Sequence, residues 1–550
     1  MKSVRWDAMV IAAAMGLSMG VSSCSVLVNT STTQCETTAD CNALGPAFVG
    51  TSCGPRKTCV PLEGFCATNQ ECIDRTGSPN NICQKGEKDG VSTNHCISLL
   101  SPECSKLLAD PGDTANDDVV VVGTLDLSSW SALFKGFWDG LEFARRDFAL
   151  TTGGLPPLPG KKSRPIVVVS CEVSVVDQGA NVAATDHLLS LGVPVLVGTI
   201  IQDFMRYQLQ QGAPLGTLNM SIDNPGLTTF PDVLKGLFYT SNTPAQAAGE
   251  ALIVPLWEKK LRDAGKTGDI KVAYATSGLP TDIPFTNSFY SSVRFNGKTA
   301  ADNQSATPPN YIEADFGQVD TGSPGASQGV GQAVQQLITF NPDVAVCILP
   351  NCEYIVQGVE KGGVHPKWVT AGSLADNGKA QFFDKQPMGM QRLLGSKPGR
   401  PLEDADFKIF LNRFTSTFPD DAALPDGAPF MYDMFYYMAF AMAGVGPKPV
   451  LTGHDIGQVI IDRFKADGVA VTTSPDAILT AYAALSQGKN LSIHAIESYG
   501  IWNPDGFLQG WQQTFFCYDP VVTNSPRFKD SGLSYDASMP GALQGSLTCF

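Results

Sequence analysis

Cysteine is the residue type whose number and spacing point most clearly to chemistry in this chain. Of its 15 cysteines, ten lie between residues 24 and 104, and five lie in the remaining 446 residues. Each of two consecutive repeats covers about 30 residues, too few for a hydrophobic core, so we predict disulfides inside each repeat. Four cysteines allow three pairings, and the sequence does not choose among them. The two repeats are Cys35-x5-Cys41-x11-Cys53-x5-Cys59 and Cys66-x5-Cys72-x10-Cys83-x12-Cys96.

The same cysteines are poor candidates for a zinc site. No two of them are separated by only two residues, and His95 is the one histidine nearby. Structural zinc sites use closely spaced thiolate and imidazole ligands. We therefore predict no metal and no cofactor. The repeats, over 35–104, are similar to small Cys-rich repeats on bacterial surface proteins, which implies a spacer or contact role.

The remaining reactive side chains do not form a catalytic pattern. No two histidines lie within four residues of each other, which excludes an HExxH zinc motif. Gly265-Lys266-Thr267 ends like a phosphate-binding loop, but Lys260 stands where that motif requires glycine. We predict that the protein is not an enzyme, and we keep an unrecognised hydrolase as the least favoured alternative. The five histidines are His95, His187, His365, His454 and His494.

The first residues have the pattern of an export signal. Lys2 and Arg5 precede an apolar stretch over 8–21, which is too short to span a bilayer as a helix. The following Ser22-Ser23-Cys24 resembles the bacterial lipobox, in which the cysteine is acylated and the signal is cut before it. We expect a signal peptide over 1–23, lipidation of Cys24, and a tether over 24–34. An ordinary secretory signal is the alternative.

Export has consequences for location and for cysteine chemistry. Ser25 resembles the second residue of lipoproteins that are sorted to the outer membrane, so we expect a protein anchored in the cell envelope. Disulfides persist in such oxidising compartments. The net charge of -15 argues against nucleic acid as a partner, because binding to phosphates requires a cationic surface.

From about residue 117 onward, apolar runs alternate with helical patterns. DVVVVGTLDL (118–127), RPIVVVSCEV and VPVLVGT have the continuous apolar character of buried strands, and DIKVAYATS (269–277) begins the same alternation again. The segment 130–148 has Leu133, Phe137, Leu141 and Ala144 on one helical face. This order predicts an α/β fold with two doubly wound parallel-sheet lobes over 117–550.

The lobes that we expect are lobe 1 over about 117–255, lobe 2 over about 265–430 and closing segments over about 431–519, joined near residues 252–268. Ligands of such sheets bind at the carboxyl ends of the strands. Two lobes that face each other form a cleft, which a hinge can close.

Four passages in this order resemble the type I periplasmic binding proteins, the family of the branched-chain amino-acid binding proteins. The likeness extends over about 117–519. The passages are VVGTLDLSSW, TLNMSIDNPGLT, MYDMFYYMAFAMAG (431–444) and ALSQGKNLSIHAIESYGIWNPDGFLQGWQQTFF. The resemblance implies a ligand held in the interlobe cleft by donors for a carboxylate, an acid for an ammonium group and apolar walls. The positions that it assigns to ligand binding are Trp130, Thr199, Asp223, Asn351, Glu353 and Tyr432.

Several of these positions depart from the family pattern. Asp223 stands where the family has a threonine, and Ile200 follows Thr199 where the family has serines. An aromatic clamp is missing from ATSGLPTDIPF. Asp223 and Glu353 together suit a cationic or hydroxyl-rich ligand better than an ordinary amino acid, because a buried charge needs an opposite charge or hydrogen bonds. Each position also has a structural alternative, such as a turn at Asp223 or a helix cap at Thr199.

The cysteines outside the repeats can form three pairs. Cys347 and Cys352 enclose a short loop, Cys517 and Cys549 would attach the tail, and Cys104 with Cys171 would join the start of lobe 1 to its second strand. A free, buried Cys171 is the alternative.

These observations predict a lipid-anchored receptor that captures a small polar or amphipathic solute, such as an amino acid. It would deliver the solute to an ABC permease or report its presence to a sensor partner. The alternative is a structural or interaction protein of the cell surface, whose two-lobed domain no longer binds a ligand.

Overall fold

The structure is a computed structural model, and its residues fall into two units by their contacts. One unit contains residues up to Ala67 together with Gln84–Cys96, and the other contains Thr68–Cys83 and all residues from Ile97 onward. None of the helices described is both long and apolar enough to cross a membrane. The residues described are 33–45, 48, 51–54, 57–61, 65–88, 91–126, 132–173, 177–198, 207–208, 210–221, 238–239, 243–277, 283–317, 327–348, 352–371, 392–400, 404–419, 427–502, 506, 508–518 and 528–549.

The Cys-rich region consists of short elements that disulfides hold together. In the first repeat, Cys35 pairs with Cys53 and Cys41 pairs with Cys59, so the repeat is bridged internally as predicted. All four cysteines of the second repeat are also disulfide-bonded. The elements are α1 (Thr38–Ala43), β1 (Thr51–Cys53), β2 (Cys59–Pro61), α2 (Asn69–Thr76), β3 (Asn81–Gln84), β4 (Glu87–Lys88), β5 (Val91–Ser92) and β6 (His95–Ser98).

The first lobe is built on a six-stranded sheet with the strand order β12-β11-β10-β8-β9-β7. Its strands are parallel except for β7, which runs antiparallel to β9. The predicted apolar runs form these strands because both faces of the sheet are covered by helices. The elements are β7 (Lys106–Leu108), β8 (Val120–Asp126), α3 (Ala132–Thr152), β9 (Ile166–Glu172), α4 (Gln178–Ser190), β10 (Val195–Val197), β11 (Leu218–Ser221) and β12 (Phe238–Tyr239).

The second lobe repeats this architecture. Its strands β13, β16, β17, β18 and β19 are parallel to one another, as predicted for a doubly wound sheet, and β19 also pairs with the antiparallel β23. The elements are α5 (Thr243–Ala251), α6 (Ile253–Asp263), β13 (Val272–Thr276), α7 (Ile283–Ser292), β14 (Arg294–Phe295), β15 (Lys298–Thr299), α8 (Ala300–Gln304), β16 (Tyr311–Asp315), α9 (Gln328–Phe340), β17 (Val344–Cys347), α10 (Cys352–Lys361), β18 (Lys367–Ala371) and β19 (Leu393–Pro398).

The chain then returns to the first lobe before it ends in the second. The second sheet continues from β19 through β23, β22 and β21 to β20, and β24 pairs with β23. The elements are α11 (Ala405–Thr417), α12 (Ala428–Val445), α13 (Gly453–Arg463), β20 (Phe464–Thr472), α14 (Pro475–Ser486), β21 (Leu491–His494), β22 (Ser498–Trp502), β23 (Leu508–Tyr518), β24 (Phe528–Asp536) and β25 (Gln544–Gly545).

Three interlobe segments connect the lobes. The chain crosses between β12 and α5 (239–243), between β19 and α11 (398–405), and along β23. Leu508 at the start of β23 packs in the core of the first lobe, and Phe515 near its end packs in the core of the second. The first crossing lies earlier than the predicted joint at 252–268, because the apolar faces of α5 and α6 pack in the second lobe. Similarly, α11 packs in the first lobe, although its residues were assigned to lobe 2.

The core of the first lobe is centred on α12, which is apolar around its whole circumference. Helix α3 crosses it, and the predicted apolar face of α3 is buried at Leu141 and Ala144. Gly140 lies at the crossing, where a Cβ would collide with the backbone carbonyl of Ala428. A glycine in the middle of a long helix is therefore explained by close approach of two helices.

We expect Gly140→Ala to lower the free energy of unfolding by about 3 kcal/mol, because the added methyl group must push α3 away from α12. Gly331 of α9 is the matched control, since a Cβ there would meet nothing within 4 Å. Gly331→Ala should stabilise the protein by about 0.5 to 1 kcal/mol through helix propensity alone. Urea unfolding checks both values, and equal effects at the two sites would contradict the close-packing explanation.

Candidate functional site

The carboxyl ends of the parallel strands are where a doubly wound fold presents its binding residues. In the first lobe these ends carry Asp126, at the end of β8, and Ser221, at the end of β11, which are both buried. Ser170 of β9 donates to Asp126 Oδ2 at 3.3 Å, and Lys106 Nζ lies 3.9 Å from the same oxygen. This edge of the first sheet therefore carries polar groups, as a ligand site requires.

The end of β10 is positioned by side chains that pack beneath it. Trp138 Nε1 donates to Thr124 Oγ1 at 3.2 Å, and Thr124 Oγ1 donates to the carbonyl oxygen of Val197 at 2.9 Å. Gly198 follows with a φ of +75°, a conformation that favours glycine. A Cβ on Gly198 would lie 3.4 Å from Met431 Cε. Helix α12 thus packs against the backbone at the end of β10.

The second lobe presents polar residues at its corresponding edge. Thr276 at the end of β13 shares a 3.0 Å hydrogen bond with Thr286 of α7, and Asp315 Oδ1 at the end of β16 accepts from Gly317 N at 2.7 Å. Cys347 and Cys352 form a disulfide that joins the end of β17 to the first residue of α10. The disulfide closes the loop that contains Asn351, as predicted.

Two of the six predicted ligand residues, Glu353 and Tyr432, lie in the part of the chain that the structure describes. Trp130, Thr199, Asp223 and Asn351 lie outside the described residues. Glu353 lies in the first turn of α10, directly after Cys352, and its side chain is buried. The structure therefore places one acidic candidate in the helix that follows β17, and its role in ligand binding stays a prediction.

Tyr432 has a different environment from the one predicted. Its hydroxyl donates to Asp147 Oδ2 at 2.6 Å and lies 3.2 Å from the hydroxyl of Tyr436, inside the core of the first lobe. Arg413 forms an ion pair with the other oxygen of Asp147. Burial raises the pKa of Tyr432 well above its usual value, and the charge of Asp147 adds to this effect. This environment gives Tyr432 a packing role, because its hydroxyl is engaged by a carboxylate from α3.

The next residue, Asp433, is a structural anchor that the sequence analysis did not single out. Its carboxylate accepts hydrogen bonds from Thr473 Oγ1 at 2.6 Å, from Ile496 N at 3.0 Å and from Glu497 N at 2.7 Å. Burial raises the pKa of Asp433 to about 7, while these three donors lower it. The carboxylate fixes α12 to the turn between β21 and β22. The acidic residue inside an otherwise apolar helix was the signal that could have revealed it.

The other two disulfides of the two-lobed part also follow the predicted pairs. Cys104 is bonded to Cys171 of β9, and Cys517 of β23 is bonded to Cys549. The first attaches the segment before β7 to the sheet of the first lobe. The second attaches the tail after β25 to the strand that crosses between the lobes.

Family models and curated protein sequences do not match this chain, whereas solved structures do. No family model and no curated protein matches it. A branched-chain amino acid transporter substrate-binding protein of Streptococcus pneumoniae, in complex with isoleucine, has a TM-score of 0.50 and 14% identity, and the match covers 75% of this chain and 99% of that one. A fatty acid ABC transporter substrate-binding protein of Thermomonospora curvata has a TM-score of 0.50 and 11% identity, with 75% and 91% covered.

The chain has the type I periplasmic-binding-protein fold. This confirms the fold that the four sequence passages predicted. In open, doubly wound α/β sheets, ligands bind outside the carboxyl ends of the strands. Asp126 and Thr276 lie at the carboxyl ends of β8 and β13, and Glu353 lies in the first turn of the helix that follows β17.

Proposed function

We propose that the protein is a solute-binding receptor that captures a small molecule between its two lobes without transforming it. The observation that carries this proposal is the pair of doubly wound sheets joined by three interlobe segments, since this connectivity lets two binding edges close on a ligand. The two structural neighbours named above are substrate-binding proteins of transporters. The fold thus supports a binding role and gives no support to catalysis.

The proposed ligand chemistry rests on the acidic residues assigned to the two binding edges. Asp223 would contribute from the first lobe and Glu353 from the second, while Trp130, Thr199 and Asn351 would supply an apolar wall and hydrogen bonds. Two carboxylates in a water-excluding cleft favour a cationic or hydroxyl-rich solute over an anionic one. We therefore place polyamines, amino sugars and basic amino acids ahead of fatty acids and neutral amino acids.

The proposed cellular context follows from the first residues. We propose that the signal over 1–23 directs export, that Cys24 carries lipid, and that the protein is held in the cell envelope, in the outer membrane. Lipid chains stabilise membrane attachment by about 0.8 kcal/mol per buried CH₂. From there the receptor would deliver its solute to an ABC permease or signal to a sensor partner.

A thermal-shift panel tests the binding function. The chain from Ser25 is heated with amino acids, polyamines, sugars, nucleosides and aromatic acids. A ligand at 100 times its dissociation constant should add roughly 2.7 kcal/mol to the free energy of unfolding. We expect a cationic or hydroxyl-rich compound to raise Tm, and we expect both Asp223→Ala and Glu353→Ala to remove the increase, because each leaves a charge of the ligand without its partner.

Asp263→Ala is the matched control, because Asp263 is an exposed acid on α6 whose partner is the exposed Lys259. It should leave the ligand-dependent shift unchanged. If no compound shifts Tm while the protein unfolds cooperatively, the binding function is rejected in favour of the structural alternative. If binding survives both cleft substitutions, the assignment of the site is wrong even though the function stands.

A further inference from the structure

A fully buried carboxyl group joins α5 and β19, the second-lobe elements next to the first two crossings, to β23, which forms the third. Glu250 is on α5, which begins at Thr243 directly after the first crossing. It lies seven residues into this helix, and its side chain is 0% exposed. Ser396 of β19, two residues before the second crossing, donates to Glu250 Oε1 at 2.5 Å. Gln513 of β23, the strand that forms the third crossing, donates to the same oxygen from Nε2 at 3.3 Å.

The two oxygens of Glu250 have very different surroundings. Gln246, one turn earlier on α5, also donates to Oε1 at 3.3 Å, so that oxygen accepts three hydrogen bonds. Oε2 is buried and has no hydrogen-bond partner within the described part of the chain. An ionised carboxylate with one bare, buried oxygen is unfavourable, because desolvation of the charge is not compensated there.

A proton on Oε2 would resolve this imbalance. Gln513 Oε1 is likewise a buried acceptor without a partner among the described residues. It belongs to the amide whose nitrogen already reaches Glu250, and it packs so closely on α5 that any side chain at Gly249 would collide with it. A protonated Oε2 is a donor, and a neutral carboxyl group is much less costly to bury than an ionised one. The neutral form of Glu250 therefore suits this buried position better than the ionised form.

The electrostatics agree with this geometry. Burial raises the pKa of Glu250 to about 8, while the hydrogen bonds from Ser396, Gln246 and Gln513 lower it. Among the described residues, the causes of this shift of the pKa are burial and hydrogen bonds, and no charged side chain is one of them. The ionisable side chains on the elements around Glu250 are Lys397 of β19, Tyr518 of β23, Lys529, Asp530, Tyr535 and Asp536 of β24, Tyr290 of α7, and the charged residues of α6 from Glu258 onward.

We propose that Glu250 is a proton-controlled latch of the hinge, whose neutral carboxyl group holds the three interlobe segments in their present arrangement. Loss of the proton would favour an arrangement in which the segments separate and water reaches the carboxylate. The latch rests on the proposed receptor function, in which the two lobes move about the hinge when the ligand binds and leaves. It predicts that the protein binds and releases its ligand with a change of one proton.

The direction of the pH dependence follows from the raised pKa. Below about pH 8 the folded protein keeps Glu250 neutral, and the present arrangement is favoured. As the pH rises through this value, the carboxyl group ionises, and the latched arrangement loses stability relative to the separated one. Linkage of one proton limits the resulting change in ligand affinity to tenfold per pH unit.

Small-angle X-ray scattering of the ligand-free chain from Ser25 tests the latch between pH 6 and pH 9.5. We expect the radius of gyration of the wild-type protein to change in one step with its midpoint near pH 8, and we expect this step to be absent from Glu250→Gln, which keeps the shape but cannot ionise. Glu258→Gln on α6 is the matched control, because Glu258 pairs with Arg262 away from the crossings. It should keep the wild-type step.

A second variant keeps the test decisive if Glu250→Gln does not fold. Ser396→Ala removes the shortest hydrogen bond to the carboxylate, so its midpoint should move to higher pH. The latch is overturned if the wild-type protein shows no step, if the step persists in Glu250→Gln, if Glu258→Gln also loses it, or if the midpoint is unmoved in Ser396→Ala. The scattering requires no ligand. A step without any hit in the thermal-shift panel would therefore reject the receptor function alone.

Discussion

Asp433→Ala is expected to lower the free energy of unfolding by about 4 to 6 kcal/mol, since each buried donor left without an acceptor costs about 1 to 3 kcal/mol. The substitution removes the acceptor of Thr473 Oγ1 and of the backbone N–H groups of Ile496 and Glu497. It also removes the attachment of α12 to the turn between β21 and β22. Urea unfolding monitored by circular dichroism measures the loss.

The isosteric Asp433→Asn separates hydrogen bonding from packing. Its amide keeps one acceptor but turns an NH₂ group toward a donor, so we expect a loss of at least about 2 kcal/mol. Asp462→Ala is the matched control, because Asp462 is an exposed acid of α13 that only accepts from Gln458. It should change the free energy of unfolding by no more than about 0.5 kcal/mol. If Asp433→Ala had the same free energy of unfolding as the wild-type protein, the hydrogen bonds of the Asp433 carboxylate would not be needed to hold α12 in place.

Asp147→Ala is expected to destabilise the first lobe by about 3 kcal/mol, because a buried ion pair loses one partner. Asp147 accepts from the hydroxyl groups of Tyr432 and Tyr436, at 2.6 Å and 3.0 Å, and pairs with Arg413. Both tyrosine rings are fully buried, so water cannot replace the carboxylate at their hydroxyls. The partly exposed guanidinium of Arg413 can regain water, which keeps the loss below that of Asp433→Ala.

Two further variants show how much of the loss in the free energy of unfolding comes from a single hydrogen bond and how much comes from removing an acid of α3. Tyr436→Phe removes one hydrogen bond and keeps the ring, so it should cost about 1 kcal/mol. Asp139→Ala, on the same helix, removes an acid whose partner is the half-exposed Lys135, and it should cost less than about 1 kcal/mol. If Asp147→Ala were no more destabilising than Asp139→Ala, the buried cluster would contribute nothing to stability. In addition, ligand binding by Tyr436→Phe should remain intact, since this cluster lies in the lobe core.

The sequence was sufficient to predict the architecture because the burial of a strand or helix determines which of its positions must be apolar. A strand covered on both faces must be apolar at every position, as in β8 and β9, and helices must separate parallel strands. The cysteine positions outside the repeats were similarly informative, because each proposed pair joined segments that the fold brings together.

The sequence was insufficient where two remote segments decide a residue's role. Tyr432 belongs to a motif typical of a binding protein, yet its hydroxyl is bonded to Asp147, which lies 285 positions earlier in the chain. The joint between the lobes was placed too late, because α5 and α6 have the same amphipathic pattern whichever lobe they cover. Only the core contacts show that both pack in the second lobe.

Taken by itself, the amino-acid sequence determined the α/β class, the two repeats with internal disulfides, and the type I periplasmic-binding-protein fold. The α/β class and the repeats depend on local periodicity and on residue types, which are properties of short segments, whereas the type I fold was implied by the resemblance of four passages to a known family. The tertiary structure alone decided that Glu250, Ser396 and Gln513 meet beside the crossings. Their positions are up to 263 residues apart, and the chemistry of a buried carboxyl group depends on neighbours that only the folded chain provides.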